Sequence, residues 1–144
     1  ALTQQLLEDC LYILDNACVR LDRGGLQRRS EERGIMQRVA QWAADVPEET
    51  LNLLELSQVA GVSLRQLQSA FKAFTGMAPS QWLRLRRLNS AHRELLSRGP
   101  TETTVAEVAM HWSFWHLGRF SSSYRALFKE LPSQTLKRSA VARR

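Results

Sequence analysis

Displaced by 53 residues, the sequence lies over itself. Phe71-Lys72-Ala73-Phe74 falls on Tyr124-Arg125-Ala126-Leu127, and Pro79-Ser80-Gln81-Trp82-Leu83 falls on Pro132-Ser133-Gln134-Thr135-Leu136. The same displacement pairs Leu67 with Phe120, four residues before each aromatic. Upstream, Leu56 to Val62 resembles Val108 to Phe114 at a displacement of 52, so the second copy carries one extra residue in its turn. Apolar anchors, a Pro-Ser-Gln triplet and a turn position agree together, which chance does not readily supply. A chain built this way contains one structural unit twice, and that restricts the fold before composition is considered.

The unit reads as two short helices around a tight turn. In the first copy, Asn52 with Glu55 three residues on is a capping-box-like start, and Leu53, Leu56, Val59 and Ala60 are the apolar positions. Gly61 suits the turn. Ser63 then caps a second helix with Leu67, Ala70, Phe71 and Phe74 inward, and Arg65, Gln66, Gln68, Ser69 and Lys72 outward. In the second copy, Thr104 and Glu107 form the box, with Val105, Val108 and Ala109 inward. After the turn at Ser113-Phe114, the inward set is Phe120, Tyr124, Leu127 and Phe128. His116, Arg119, Ser121, Ser122 and Arg125 face out. Helix, tight turn and polar second helix is the helix-turn-helix pattern, whose second helix enters the major groove of duplex DNA.

Between the copies, Pro79 opens a helix that runs to Arg98 and stops at Gly99-Pro100. Trp82, Leu85, Leu88, Asn89, His92 and Leu96 recur along it, with Arg84, Arg86, Arg87 and Arg93 around them. At 1.5 Å per residue such a rod is about 30 Å long, a length that would set two recognition helices roughly one DNA turn, near 34 Å, apart. At the front, Leu2, Leu6, Cys10, Ile13, Ala17 and Leu21 predict an amphipathic helix over about residues 3–20. Asp22 to Gly25 ends it, residues 25–29 read as a polar linker, and Ser30 with Glu31 and Glu32 reads as the N-cap of a helix that stops before Pro47. No segment alternates convincingly with a period of two. The expected fold is all-α: two helix-turn-helix subdomains joined by a long linker helix, preceded by an extra N-terminal helix. Residues 1–29 are the helix and linker, and residues 30–144 the double unit. Its first copy spans about 52–76, the linker helix about 79–98 and the second copy about 104–129.

Charge separates the same regions. Residues 1–50 hold six Arg/Lys against nine acids, a net −3, whereas residues 51–144 hold fourteen against five, a net +9. A basic back half suits a polyanion, and phosphate backbones are the commonest, because each cation placed on a phosphate releases a counterion. Enzymatic chemistry finds little support. Cys10 and Cys18 lie far from His92, His111 and His116, so zinc spacing is absent, as are a Gly-rich phosphate loop and a nucleophile elbow. No metal, cofactor or membrane span is expected. Eight residues apart on one helix, the two cysteines stand about 12 Å apart, beyond disulfide reach. They read as idle thiols of a reducing cytoplasm. The four tryptophans read as core or turn packing, and His116 as a turn or groove residue.

Two strings then resemble the AraC/XylS family of transcriptional regulators over residues 35–138. The family's first unit has Gly-apolar-Ser-x-x-x-Leu-x-x-x-Phe, then Gly-x-x-Pro-x-x-aromatic-Leu. Here these are Gly61-Val62-Ser63, Leu67, Phe71, Gly76, Pro79 and Trp82-Leu83, followed by the Arg-Leu stretch from Arg84 to Leu88. The second unit's signature is matched by Val108-Ala109, Ser113-Phe114, Phe120, Tyr124, Lys129 and Pro132. Ser113 and Lys129 stand where the family prefers glycine, which predicts tight or strained turns. The string Phe114 to Phe120 is similar to a subgroup that includes ethanolamine-utilisation activators.

The resemblance implies a bacterial, sequence-specific DNA-binding regulator, an activator touching RNA polymerase. Residues 1–29 would be the tail of an N-terminal effector or dimerisation domain, through which a small molecule would act. Carried over residue by residue, base contacts fall to Arg65, Gln66, Gln68 and Ser69, and to His116, Leu117, Arg119, Ser121 and Ser122. Phosphate contacts fall to Ser63, Lys72, Arg84, Arg86, Arg87 and Arg125. Gly118 reads either as tolerated or as a point of close backbone approach. The front helix is expected to dock within its own chain and leave a fragment of this length mostly monomeric. Two other classes stay open on the residues alone: an all-α protein-interaction module with an incidental basic face, and an all-α RNA binder.

Overall fold

The computed structural model describes residues 23–45 and 52–141, all within helices and the short turns joining them. The elements are α1 (Arg23–Asp45), α2 (Leu53–Ala60), α3 (Leu64–Thr75), α4 (Pro79–Ser97), α5 (Val105–His111), α6 (Leu117–Phe128) and α7 (Pro132–Val141). The expected helix over residues 3–20, with Cys10 and Cys18, lies outside the described residues. The chain divides into two units, Ala1–Leu85 and Arg86–Arg144, and the division falls inside α4.

The repeat is visible as repeated backbone bonding. At the first turn Gly61 N–H donates to Gln58 O and Val62 N–H to Ser57 O, both at 3.1 Å. Fifty-two residues on, Ser113 N–H donates to Met110 O (3.0 Å) and Phe114 N–H to Ala109 O (2.8 Å). After the second helix of each copy, Gly76 N–H bonds Lys72 O and Lys129 N–H bonds Arg125 O. The Pro-Ser-Gln triplet opens a helix both times, so α7, which lies beyond the second copy's expected end near residue 129, is the counterpart of the start of α4.

Both turns need a left-handed residue. Gly61 (φ 66°) and Gly76 (φ 70°) supply it in the first copy, whereas Ser113 (φ 63°) and Lys129 (φ 62°) adopt it in the second. The strain expected at those two positions is therefore present, since a Cβ in this region costs roughly 1–2 kcal/mol. Glycine there should raise stability by about 0.5–1 kcal/mol after its larger unfolded-state entropy is deducted. Lys129→Gly should gain less than Ser113→Gly, because it also loses the Nζ bond to Ala126 O (2.9 Å). Urea midpoints of the two variants measure this, and an unchanged or lower midpoint for Ser113→Gly would count against the strain.

The first unit closes around α1. Ile35, Met36, Val39 and Ala43 join Leu56, Ala60, Leu67, Ala70, Phe71, Trp82 and Leu83 in one buried cluster. Phe71 and Trp82 meet edge to face at 5.5 Å. Arg38 Nε donates to Ala60 O at 3.0 Å, tying α1 to the last carbonyl of α2. The helix runs through residues 25–29, where the sequence suggests a linker, and Ser30 is inside it rather than at its cap. Two glycines near the start cost about 1 kcal/mol each. The following Gln27-Arg28-Arg29 and Glu31-Glu32-Arg33 are good helix formers, and the packed stripe beyond them anchors the helix.

In the second unit, polar groups replace part of that core. Tyr124 and Thr135 occupy the repeat positions of Phe71 and Trp82, and in place of an aromatic pair Tyr124 Oη donates to Thr135 Oγ1 at 2.8 Å. Thr135 donates onward to Glu130 (2.7 Å), which also accepts from Arg138 (2.9 Å). With its hydrogen so used, the Tyr124 oxygen accepts from His92 Nδ1–H, which fixes the imidazole tautomer. Burial pushes the Tyr124 hydroxyl up to about 12 and holds His92 below its ordinary value, so both are neutral. His92 also stacks on Phe128 at 4.0 Å. On the same helix, Glu94 accepts from Trp112 Nε1 (2.8 Å), His111 Nδ1 (2.8 Å) and Arg98 (2.9 Å). Burial raises its pKa, but those donors outweigh it and hold the carboxyl below its ordinary value.

Three sequence assignments move. Leu95 is fully buried and Leu96 is 40% exposed, the reverse of the expected stripe. Leu127, expected inward, is likewise 40% exposed. Arg86, expected among the phosphate contacts, is buried at 5% exposure. The cause is common to Leu95 and Arg86: α4 buries Leu83, Arg86, Ser90, Ala91 and Leu95 as well as Trp82, Leu88 and Asn89, far more than one stripe.

Candidate nucleic-acid interface

Each copy presents the outward face of its second helix. On α3, Leu67, Ala70 and Phe71 are buried, which leaves Arg65, Gln66, Gln68, Ser69 and Lys72 exposed, as expected. They are not equally available. Gln66 completes a reciprocal capping box: Ser63 N–H donates to its Oε1 at 3.0 Å, and its own N–H donates to Ser63 Oγ at 3.3 Å. The carbonyl of Gln66 and the hydroxyl of Ser63 thus serve the helix start. Ser69 Oγ donates to Glu32 of α1 at 3.3 Å, so a carboxylate borders that edge of the helix. Arg65 and Gln68 are exposed on the same face of α3, with Lys72 in its last turn.

On α6, Phe120 and Tyr124 are buried, and Gly118, Arg119, Ser122 and Arg125 are exposed. His116 is the N-cap residue without a side-chain capping bond, and Leu117 opens the helix at 45% exposure. Ser121 is half-buried, and Ser122 Oγ donates back to Gly118 O at 2.9 Å. A Cβ on Gly118 would meet nothing within 4 Å, so packing does not require the glycine. Of the remaining phosphate candidates, Arg84 is exposed and Arg87 half-buried.

Sequence reasoning missed Trp115. The sequence pattern groups it with core or turn packing, yet it is 72% exposed, at the end of the turn leading into α6. A signal was available: once His116 is aligned with Ser63 as the two helix caps, Trp115 is the extra residue of the second copy.

Among the described residues, no His, Cys, Asp and Glu side chains group as metal ligands, and no helix is long and apolar enough to cross a membrane.

Two helix-turn-helix units with basic and amide side chains outward define the class: a tandem helix-turn-helix protein. The family described as a helix-turn-helix domain matches residues 56–138. The chain is 35% identical over 106 residues to the XylDLEGF operon transcriptional activator 2 of Pseudomonas putida, covering 74% of this chain and 68% of that protein. It is 34% identical over 109 residues to activator 3 of the same operon, spanning 76% of this chain but 33% of that protein. A solved structure of a probable AraC family transcriptional regulator from Rhodopseudomonas palustris matches with a TM-score of 0.60 at 34% identity, covering 74% of this chain and 96% of that one. The chain belongs to the AraC/XylS family of helix-turn-helix regulators, whose members are DNA-binding proteins rather than enzymes.

Proposed function

We propose that this chain is the DNA-binding part of a cytoplasmic transcription activator that reads two successive major-groove segments of one duplex. The observation that carries this is the repeated helix, left-handed turn and helix, each copy ending in a second helix with an exposed polar face. In this assignment Arg65 and Gln68 from α3, and Arg119 from α6, read bases. Arginine suits guanine O6/N7 and glutamine suits adenine N6/N7. Gln66, Ser69, His116, Leu117, Ser121 and Ser122 are supporting contacts, with Gln66 and Ser69 limited by the bonds they already make. Ser63, Lys72, Arg84, Arg87 and Arg125 hold phosphates, which set register without choosing sequence. RNA polymerase is the partner of the bound activator, and a small-molecule effector acts through a region N-terminal to these units. On its own this chain is mostly monomeric.

Selection from random duplex DNA tests the assignment, with an asymmetric motif of about 20 base pairs, two helical turns, as the expected product. Preference for structured or single-stranded RNA, or for no nucleic acid, would refute it. On the selected site, Arg65→Ala, Gln68→Ala and Arg119→Ala should each lose about 1–3 kcal/mol, with a smaller loss on random duplex. Competition binding measures the difference, and equal losses on both DNAs would move those residues to the phosphate class.

A further inference from the structure

We propose that Trp115, with Leu117, reads thymine methyl groups in the major groove at the second helix-turn-helix. The inference rests on the DNA-binding function above and names what one of its surfaces recognises. Trp115 is the residue by which the second copy's turn exceeds the first, and at 72% it is the most exposed large apolar side chain among the described residues. Leu117, two residues on, is 45% exposed at the first position of α6. Isolated apolar side chains on a surface are ordinary. These two stand instead at the start of a recognition helix, the part that meets base edges in a helix-turn-helix. The first copy has Leu64, 42% exposed, at the repeat position of Leu117, followed by Arg65, and has no counterpart of Trp115. Gly118 takes the repeat position of Arg65, so no side chain stands out between Leu117 and Arg119.

The occupant follows from the chemistry of the groove. Base edges there carry hydrogen-bond donors and acceptors, and the thymine C5-methyl is the one apolar group among them. Exposed Arg119 and Arg125 on the same helix supply the positive charge that a phosphate-lined groove requires. Both copies would then discriminate by hydrogen bonds, and Trp115 would add a methyl contact in the second.

The test uses the full chain and a duplex selected from random DNA. Base pairs whose preference changes in Arg119→Ala mark the half read by the second unit. Each thymine in that half is replaced singly by uracil, which removes the methyl and leaves every hydrogen-bonding group. At one or two positions the wild-type chain should bind about fourfold more weakly, the scale of one buried methyl. Trp115→Ala should bind the thymine and uracil duplexes equally at one of those positions, and Trp115→Ala combined with Leu117→Ala at all of them, with an unchanged melting temperature for Trp115→Ala because the side chain is exposed. A site with no thymine in that half, tolerance of uracil throughout, or an equal loss for Trp115→Ala on both duplexes would overturn the methyl contact while leaving DNA binding intact. Failure to enrich any duplex would overturn both.

Discussion

Raising monovalent salt from 50 to 200 mM is expected to weaken binding to the selected duplex about 10³- to 10⁴-fold, because five to eight phosphate contacts give a log–log slope of roughly −5 to −7. The charge behind this is the net +9 of residues 51–144, opposed to −3 on residues 1–50. Individual cations should separate by burial. Replacing exposed Arg84 or Arg125 by alanine should weaken binding on all duplexes and make the slope shallower by about 1. Arg86→Ala should leave the slope unchanged and lower the melting temperature, since that side chain is buried. Fluorescence anisotropy over a salt series reads both quantities. A wild-type slope shallower than about −2 would show that the basic face is not the binding surface.

Phe71→Ala should be the most damaging single change in the first unit, costing about 3–5 kcal/mol. Phe71 is fully buried, packs edge to face on Trp82 and sits in the cluster shared by α1, α2, α3 and the start of α4. Removing it takes away apolar transfer energy and leaves a cavity that four elements cannot all move to fill. Against a usual total of 5–15 kcal/mol, that loss is enough to unfold much of the population near body temperature. The counterpart change, Tyr124→Phe, keeps the ring and removes the hydroxyl between His92 and Thr135. It should cost about 1–3 kcal/mol through the donor left unsatisfied. Urea denaturation distinguishes the two, and a loss below about 1 kcal/mol for Phe71→Ala would contradict the packing described.

The repeat, the helical class and the recognition helices were legible in the sequence for local reasons. Helix caps depend on residues three apart: Asn52, Ser63 and Thr104 all cap as expected, and the Thr104–Glu107 box closes in both directions, whereas Asn52 only accepts from Glu55 N–H. Turn chemistry is equally local: a tight turn needs a left-handed residue wherever it occurs, so the glycine preference of the family that the sequence resembles marks Ser113 and Lys129 as strained. The α3 residues named as outward are all exposed, because a helix with one strongly apolar stripe leaves the opposite face no other place.

What lies on α4 could not be read in that way. A single stripe is a sound inference for a helix covered on one side, but α4 buries residues around much of its circumference, which placed Arg86 inside and exchanged Leu95 for Leu96. Nor could pairings distant in sequence be derived. Glu32 reaches Ser69 across 37 residues and Arg38 reaches Ala60 across 22, and those bonds decide how far each named side chain is free to meet a ligand. The sequence by itself determined which segments become helices, where they turn and which faces are polar, since those follow from neighbours within one or two turns. Tertiary structure alone decided which polar side chains are engaged, which cation is buried and which tryptophan is exposed, because burial is set by the elements that come to lie alongside.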